Sequence, residues 1–257
     1  MQTHSRPIIS LLDAIRQVIG AVALTQLVFT IPRGHDISLR ESQERYNKFF
    51  NMVKKLLGKY CPNQAAVMCL HNWSSDNPED AHVHIHCLII GLTADGHRRS
   101  GYLNSEALRA DYKQALDLDI EPNLNLSYIS SAQHNATVHW LQYAMRSPIA
   151  DYAVQATHGL SRPYLERVAH LMRYQRIRYW GWLSNRRLAQ FCTKHGIEKR
   201  IEDPNESWEL TESVMAYQVD VWHYAIWNDT RIIPIESVYT SAETCKSVYY
   251  CRLQDSS

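Results

Sequence analysis

The stretch HVHIHCLIIG, residues 82–91, restricts the fold more than any other part of this chain. His82, His84 and His86 alternate with Val83, Ile85 and Cys87, and an apolar run follows. That alternation has the period of a β-strand, whose successive side chains point to opposite faces. The three imidazoles therefore share one face, while Val83, Ile85, Cys87 and Ile89 share the other and point to a core. A second β-rich segment, AAVMCLHNW (65–73), comes just before it. The turn-forming cluster SSDNPED (74–80) lies between the two, so an antiparallel pair is expected.

The rest of the chain supplies layers for such a pair. Ile8, Leu11, Leu12, Ile15 and Ile19 recur at helical spacing. LTQLVFTIP (24–32) reads as a strand that stops at Pro32. From Ser38 to Tyr60 the spacing is helical again, with Tyr46, Phe49, Phe50, Val53, Leu56 and Leu57 as the core stripe. A helix capped by Ser105 and running through Leu116, a strand LNLSYIS (124–130) and a helix ATVHWLQYAMRSPI (136–149) follow. The order strand, helix, strand, strand, helix, strand, helix predicts an α+β fold, a central antiparallel sheet with flanking helices. Past residue 160 the pattern is mostly helical. WELTESVMAYQVDVWHYAIW reads as an amphipathic helix, which gives one domain over residues 1–200 and a helical C-terminal extension over 201–257.

The 257 residues, 45% hydrophobic and 21% charged, are ordinary globular composition, and a net charge of +1 excludes a global basic field. Basic residues and aromatics nevertheless concentrate in 162–200, so a neutral total can hide a basic face. The six cysteines form no CxxC pair, and Cys69 and Cys87 lie in apolar runs. Buried free thiols in a reducing, cytoplasmic compartment are expected, a host cell's if the source is viral. The apolar start PIISLLDAIRQVIGAVALTQLVFTIP carries Asp13, Arg16 and Gln17, so it reads as a helix entering a strand and not as a leader or membrane span.

Two readings of the histidine strand stay open on spacing alone. Histidines occur on solvated strand faces. Two neutral imidazoles two residues apart on a strand can also chelate one ion. His71, in CLHNW, would be brought beside His84 and His86 by an antiparallel hairpin; Glu79 and Asp80 are other candidates for a third ligand. On the helix 136–149, Val138, Leu141 and Met145 fall on one side, and His139, Tyr143 and Arg146 cluster on another. That cluster is either ordinary surface or a nucleophile with a phosphate-binding arginine.

Four segments taken together carry a resemblance. LVFTIPRG (27–34), LHNWSSD followed by HVHIHCLIIG, WLQYAMRSPIADY, and IRYWGWLSNRR (177–187) occur in the order of the motifs of HUH endonucleases, specifically rolling-circle replication initiators and rolling-circle-type transposases. The resemblance spans about residues 24–190. It implies a sheet with the histidines on its exposed face, His84 and His86 as metal ligands, and Tyr143 as the catalytic nucleophile; the third ligand stays open, with His71 the first candidate beside Glu79 and Asp80. Mn2+ or Mg2+ is the implied cofactor. The implied reaction is cleavage and rejoining of single-stranded DNA through a 5′-phosphotyrosine. A free phenol titrates near ~10, so the nucleophile needs activation; His139, one turn away, is the candidate base or orienting group. Arg146, Arg178, Arg186 and Arg187 are the candidate DNA contacts. Arg173 and Arg176 are further basic candidates, and Tyr174, Tyr179, Trp180 and Trp182 are candidates for base stacking.

His139 stands where two-tyrosine members carry a second tyrosine, and no cysteine cluster precedes residue 24. Both features favour an initiator of plasmid or viral replication, with a replicative helicase as partner, over a single-tyrosine transposase. A DNA-binding protein with an inactive site is the third reading.

Overall fold

The computed structural model describes residues 5–35, 43–74, 81–99, 102–129, 134–146, 174–201 and 247–251. The elements in chain order are α1 (Arg6–Val18), β1 (Leu24–Thr30), α2 (Gln43–Tyr60), β2 (Ala65–Trp73), β3 (Ala81–Ile90), α3 (Ser105–Leu116), β4 (Leu124–Ile129), α4 (His134–Met145), β5 (Ile177–Gly181), α5 (Asn185–Lys194), β6 (Ile197–Ile201) and β7 (Ser247–Cys251). Five strands form one antiparallel sheet in the order β4-β1-β3-β2-β5. This is the predicted α+β class, with helices on both faces.

β3 is the middle strand, and its alternation sorts the molecule into two cores. Val83, Ile85, Cys87 and Ile89 pack with α2 and α3, while Leu88 and Ile90 pack with α1, α4 and α5. The stripes read from sequence close each side. Leu11, Leu12 and Ile15 of α1 are buried on one face, and Tyr46, Phe49, Phe50, Val53, Leu56 and Leu57 of α2 on the other. α1 opens with Pro7 in its first turn, where a missing N–H costs nothing. α3 is capped by Asn104, whose Oδ1 accepts from the Ala107 N–H at 3.1 Å, so the cap falls one residue before the expected Ser105.

Among the described residues past 160, α5 is helical as expected, but three strands depart from the expectation. IRYWG is a strand, β5, paired with β2 from Cys69↔Ile177 to Ala65↔Gly181. Its β-rich run of Ile177, Tyr179 and Trp180 outweighed the helical spacing. Gly181 ends it at φ +69, where a Cβ would lie 1.8 Å from the Gln64 carbonyl oxygen, so only glycine fits. β6 and β7 form a separate two-stranded ribbon, so residues 247–251 are a strand and not a helix, and residue 200 lies within β6. The amphipathic segment 208–227 lies outside the described residues.

Candidate metal centre

The site grows out of the β2–β3 register. His71 sits directly opposite His84, and Cys69 opposite His86. Cross-strand partners share a face, so His71 joins His84 and His86 above the sheet. The pairing shifts by one residue between His71 and Trp73. Such an irregularity bends a strand and re-aims its side chains. Here it leaves Trp73 in the α2–α3 core with its ring stacked on His71 at 4.3 Å between centroids.

The three imidazoles form a compact cluster. Their centroids are 5.1 Å (His71–His84), 4.6 Å (His71–His86) and 4.8 Å (His84–His86) apart. One nitrogen from each lies within 4.8 Å of the others. The face they occupy is not open, as the resemblance implied: His71, His84 and His86 are 1%, 7% and 5% exposed. α4 covers them, with the Trp140 ring 6.3 Å and the Tyr143 ring 5.5 Å from His86.

Hydrogen bonds fix two of the tautomers. His71 Nε2 donates to the Ala144 carbonyl at 2.7 Å, which leaves Nδ1 as its lone pair. His84 Nδ1 donates to the His82 carbonyl at 3.0 Å, which leaves Nε2. Both nitrogens of His86 are buried with no hydrogen-bond partner. A buried polar atom with no partner costs about 1–3 kcal/mol, and a metal bond removes that cost. Burial holds His71 and His86 well below the usual imidazole pKa; His86 and His84 add to the effect on His71, His84 adds to it on His86, and Arg146 adds to both. Burial brings His84 down to about 4, opposed by its bond to the His82 carbonyl. All three are thus neutral at pH 7, the form that ligates metal. Two rings anchored to backbone carbonyls and a third with unused nitrogens are the donor set a divalent cation needs, and three protein ligands leave further positions open.

Tyr143 meets this cluster from above. It is 36% exposed, with its ring 5.5 Å from His86 and 6.4 Å from His71. The Arg146 guanidinium lies over that ring, 3.7 Å from its centroid, and is itself buried. Arg146 follows the last residue of α4, so the helical wheel did not govern it. The stripe that α4 buries is Thr137, Trp140, Leu141, Ala144 and Met145, turned toward Trp140 relative to the expected Val138 side. His139 is exposed, and among the described residues it makes no hydrogen bond, ion pair or ring contact.

The other candidates scatter. Arg178 projects from the opposite face of the sheet, because it is one residue out of phase with Ile177 and Tyr179. There it lies over the Phe50 ring at 4.3 Å and donates to Asn47 Oδ1 and the Tyr174 hydroxyl. It is not part of the histidine site. Trp182 and Tyr174 are buried at 2% and 6%, so neither stacks a base. Trp180 packs against the α2–α3 core, and Tyr179 is exposed. Arg186 and Arg187 are exposed on the first turn of α5. Arg173, Glu79 and Asp80 lie outside the described residues. Cys69 and Cys87 are buried free thiols as expected, Cys61 and Cys192 are buried free thiols too, and no described helix is long and apolar enough to cross a membrane.

Sequence reasoning missed Trp140 and the role of Arg176, whose Nη2 donates to the Met145 carbonyl at 2.8 Å. Trp140 was legible from its i, i+4 relation to Ala144; nothing in the sequence linked Arg176 to α4. No family model, no curated protein and no solved structure matches this chain.

Proposed function

We propose that this chain is a metal-dependent, single-stranded DNA endonuclease and strand transferase that starts rolling-circle replication of a plasmid or virus. The observation that carries the reading is the meeting of a neutral three-histidine cluster with one tyrosine ring, 5.5 Å from that of His86. The resemblance of the motifs supports it from the sequence side.

His71, His84 and His86 would hold the ion. When bound, it supplies Lewis-acid polarisation of the scissile phosphate. An all-imidazole donor set favours Mn2+ over Mg2+, and Zn2+ or Ni2+ compete for it. The Tyr143 hydroxyl oxygen attacks phosphorus and the P–O3′ bond breaks. The phenolic proton leaves to solvent and the departing 3′ oxygen takes one up, giving a free 3′-OH and a 5′-phosphotyrosine. A phosphodiester is exchanged for a phosphodiester, so rejoining needs no nucleotide cofactor. Arg146 holds the phenol ring from its outer face and places positive charge beside the phosphate. Arg186 and Arg187 offer exposed charge for the strand.

The test is incubation with circular single-stranded DNA and Mn2+, followed by denaturing electrophoresis. A covalent protein–DNA adduct that disappears in Tyr143→Phe is expected. No adduct with any divalent metal would leave the reading of an inactive DNA-binding protein. The identity of the cut site separates an initiator from the single-tyrosine transposase.

A further inference from the structure

The last carbonyls of a helix have no partner within it. At the end of α4 three consecutive ones are taken by side chains. Arg146 Nη1 donates to the Tyr143 carbonyl at 3.3 Å, His71 Nε2 to that of Ala144 at 2.7 Å, and Arg176 Nη2 to that of Met145 at 2.8 Å. The middle donor is a member of the histidine cluster, and the carbonyl it holds belongs to the residue after Tyr143. Arg176 also ties back to β2, since its own carbonyl accepts from the Leu70 N–H at 2.8 Å, next to His71. β2 and the C-terminal turn of α4 are therefore joined by two struts side by side, one through the His71 ring and one through Arg176.

We propose that a cation held by His71, His84 and His86 locks the C-terminal turn of α4 through the His71–Ala144 hydrogen bond, with Arg176 as the positioning residue that shares the load. The inference rests on the metal reading above and adds that filling the site sets the tyrosine helix. With Nε2 committed as donor, His71 presents Nδ1 to the ion. Donation of that lone pair to a cation draws electron density from the ring and makes the Nε2–H a stronger donor. The hold on Ala144 tightens when the site fills. Linkage makes the effect reciprocal: a turn already held presents His71 in the ligating tautomer and raises metal affinity. Arg176, 8% exposed, is well placed to keep that turn against β2.

The probe is Co2+ alone, with no DNA. Binding is followed by visible absorption, and amide hydrogen exchange is read in peptides covering residues 140–146. In the wild-type protein, saturating Co2+ should slow exchange in those peptides by about tenfold or more, the range of second-shell effects on metal sites, and leave β4 unchanged. Arg176→Gln should weaken Co2+ binding about tenfold and reduce the added protection. Arg176→Lys, which keeps a cationic donor, should restore part of both. Co2+ bands with no change in exchange at 140–146 overturn the coupling while leaving the metal reading intact. Absence of Co2+ binding overturns both. Equal Co2+ affinity in wild type and a folded Arg176→Gln removes Arg176 from the account. If Arg176→Gln does not fold, the wild-type exchange measurement decides by itself.

Discussion

The two faces of the central sheet are built from the same strands and do opposite things. On the α2–α3 side, Val83, Ile85 and Cys87 are fully buried among aromatic and aliphatic side chains. On the other side, α1, α4 and α5 seal an apolar core around Leu88 and Ile90, and then β3 turns polar at His86 and His84 while staying buried. One strand thus carries a core in its odd positions and, in its even positions, a core that becomes a site. Burial alone does not distinguish the faces. What distinguishes them is the chemistry of what is buried: among the described residues only the α4 side brings three imidazoles together, and both His86 nitrogens there have no hydrogen-bond partner.

The comparison can be broken most completely at Tyr143. Tyr143→Phe should remove the covalent adduct altogether while leaving the fold and metal affinity in place, since only a hydroxyl is lost. A nucleotide recovered on any other tyrosine by peptide mass analysis would defeat the assignment. Next in size, His84→Ala and His86→Ala should each reduce nicking by at least ~100-fold and weaken metal binding, the upper range for disturbing a metal site. Most DNA binding should survive, because Arg186 and Arg187 stand on another element. Retained cleavage at ordinary Mn2+ concentration would count against the site.

The opposite face should respond in the opposite sense. Phe50→Ala should cost about 3–5 kcal/mol in denaturant melts, as buried phenylalanines do, with Co2+ affinity per folded molecule unchanged. His86→Leu sharpens the contrast further. It converts a site position into a core position and removes two buried nitrogens without partners. The metal-free protein should gain about 1–2 kcal/mol, while added metal no longer raises its melting temperature. A clear loss of metal-free stability would show that the His86 ring is held by something other than a ligand role. The smallest effect is expected at His139. General-base help is worth ~10²–10⁴ in rate, and the exposed ring makes no hydrogen bond or ring contact with Tyr143. His139→Ala should therefore change cleavage by less than about tenfold, measured by single-turnover kinetics.

Much of this was legible before any coordinates. Period-two alternation in 82–91 and period 3.6 from Ser38 to Tyr60 are local patterns; the strand formed as read, and the helix formed over its described part, Gln43–Tyr60. The antiparallel hairpin expectation brought His71 to His84 and His86, because register follows from which face must be buried. What was not legible depends on distant segments. β5 earns its place by pairing with β2, a contact about 110 residues away in sequence, so its own spacing misled. The same alternation that placed the histidines, applied to 177–181, would have put Arg178 on the far face once that strand was recognised. The covering of the histidines by α4 depends on the turn of the helix about its axis. Trp140 and Ala144 set that turn through packing, and a wheel drawn on Val138 does not reveal it.

The central position of β3 has a consequence for how an ion would leave. β3 is paired on both edges from His84 to Ile90, with β1 and with β2. Such a strand gives up its amides only when the whole domain opens. His84 and His86 therefore keep their spacing through every local fluctuation, and fraying at a sheet edge cannot release what they hold. The exit is set by the lid of the pocket, so the residence time of the ion should follow the opening rate of α4 and not the unfolding rate of the sheet.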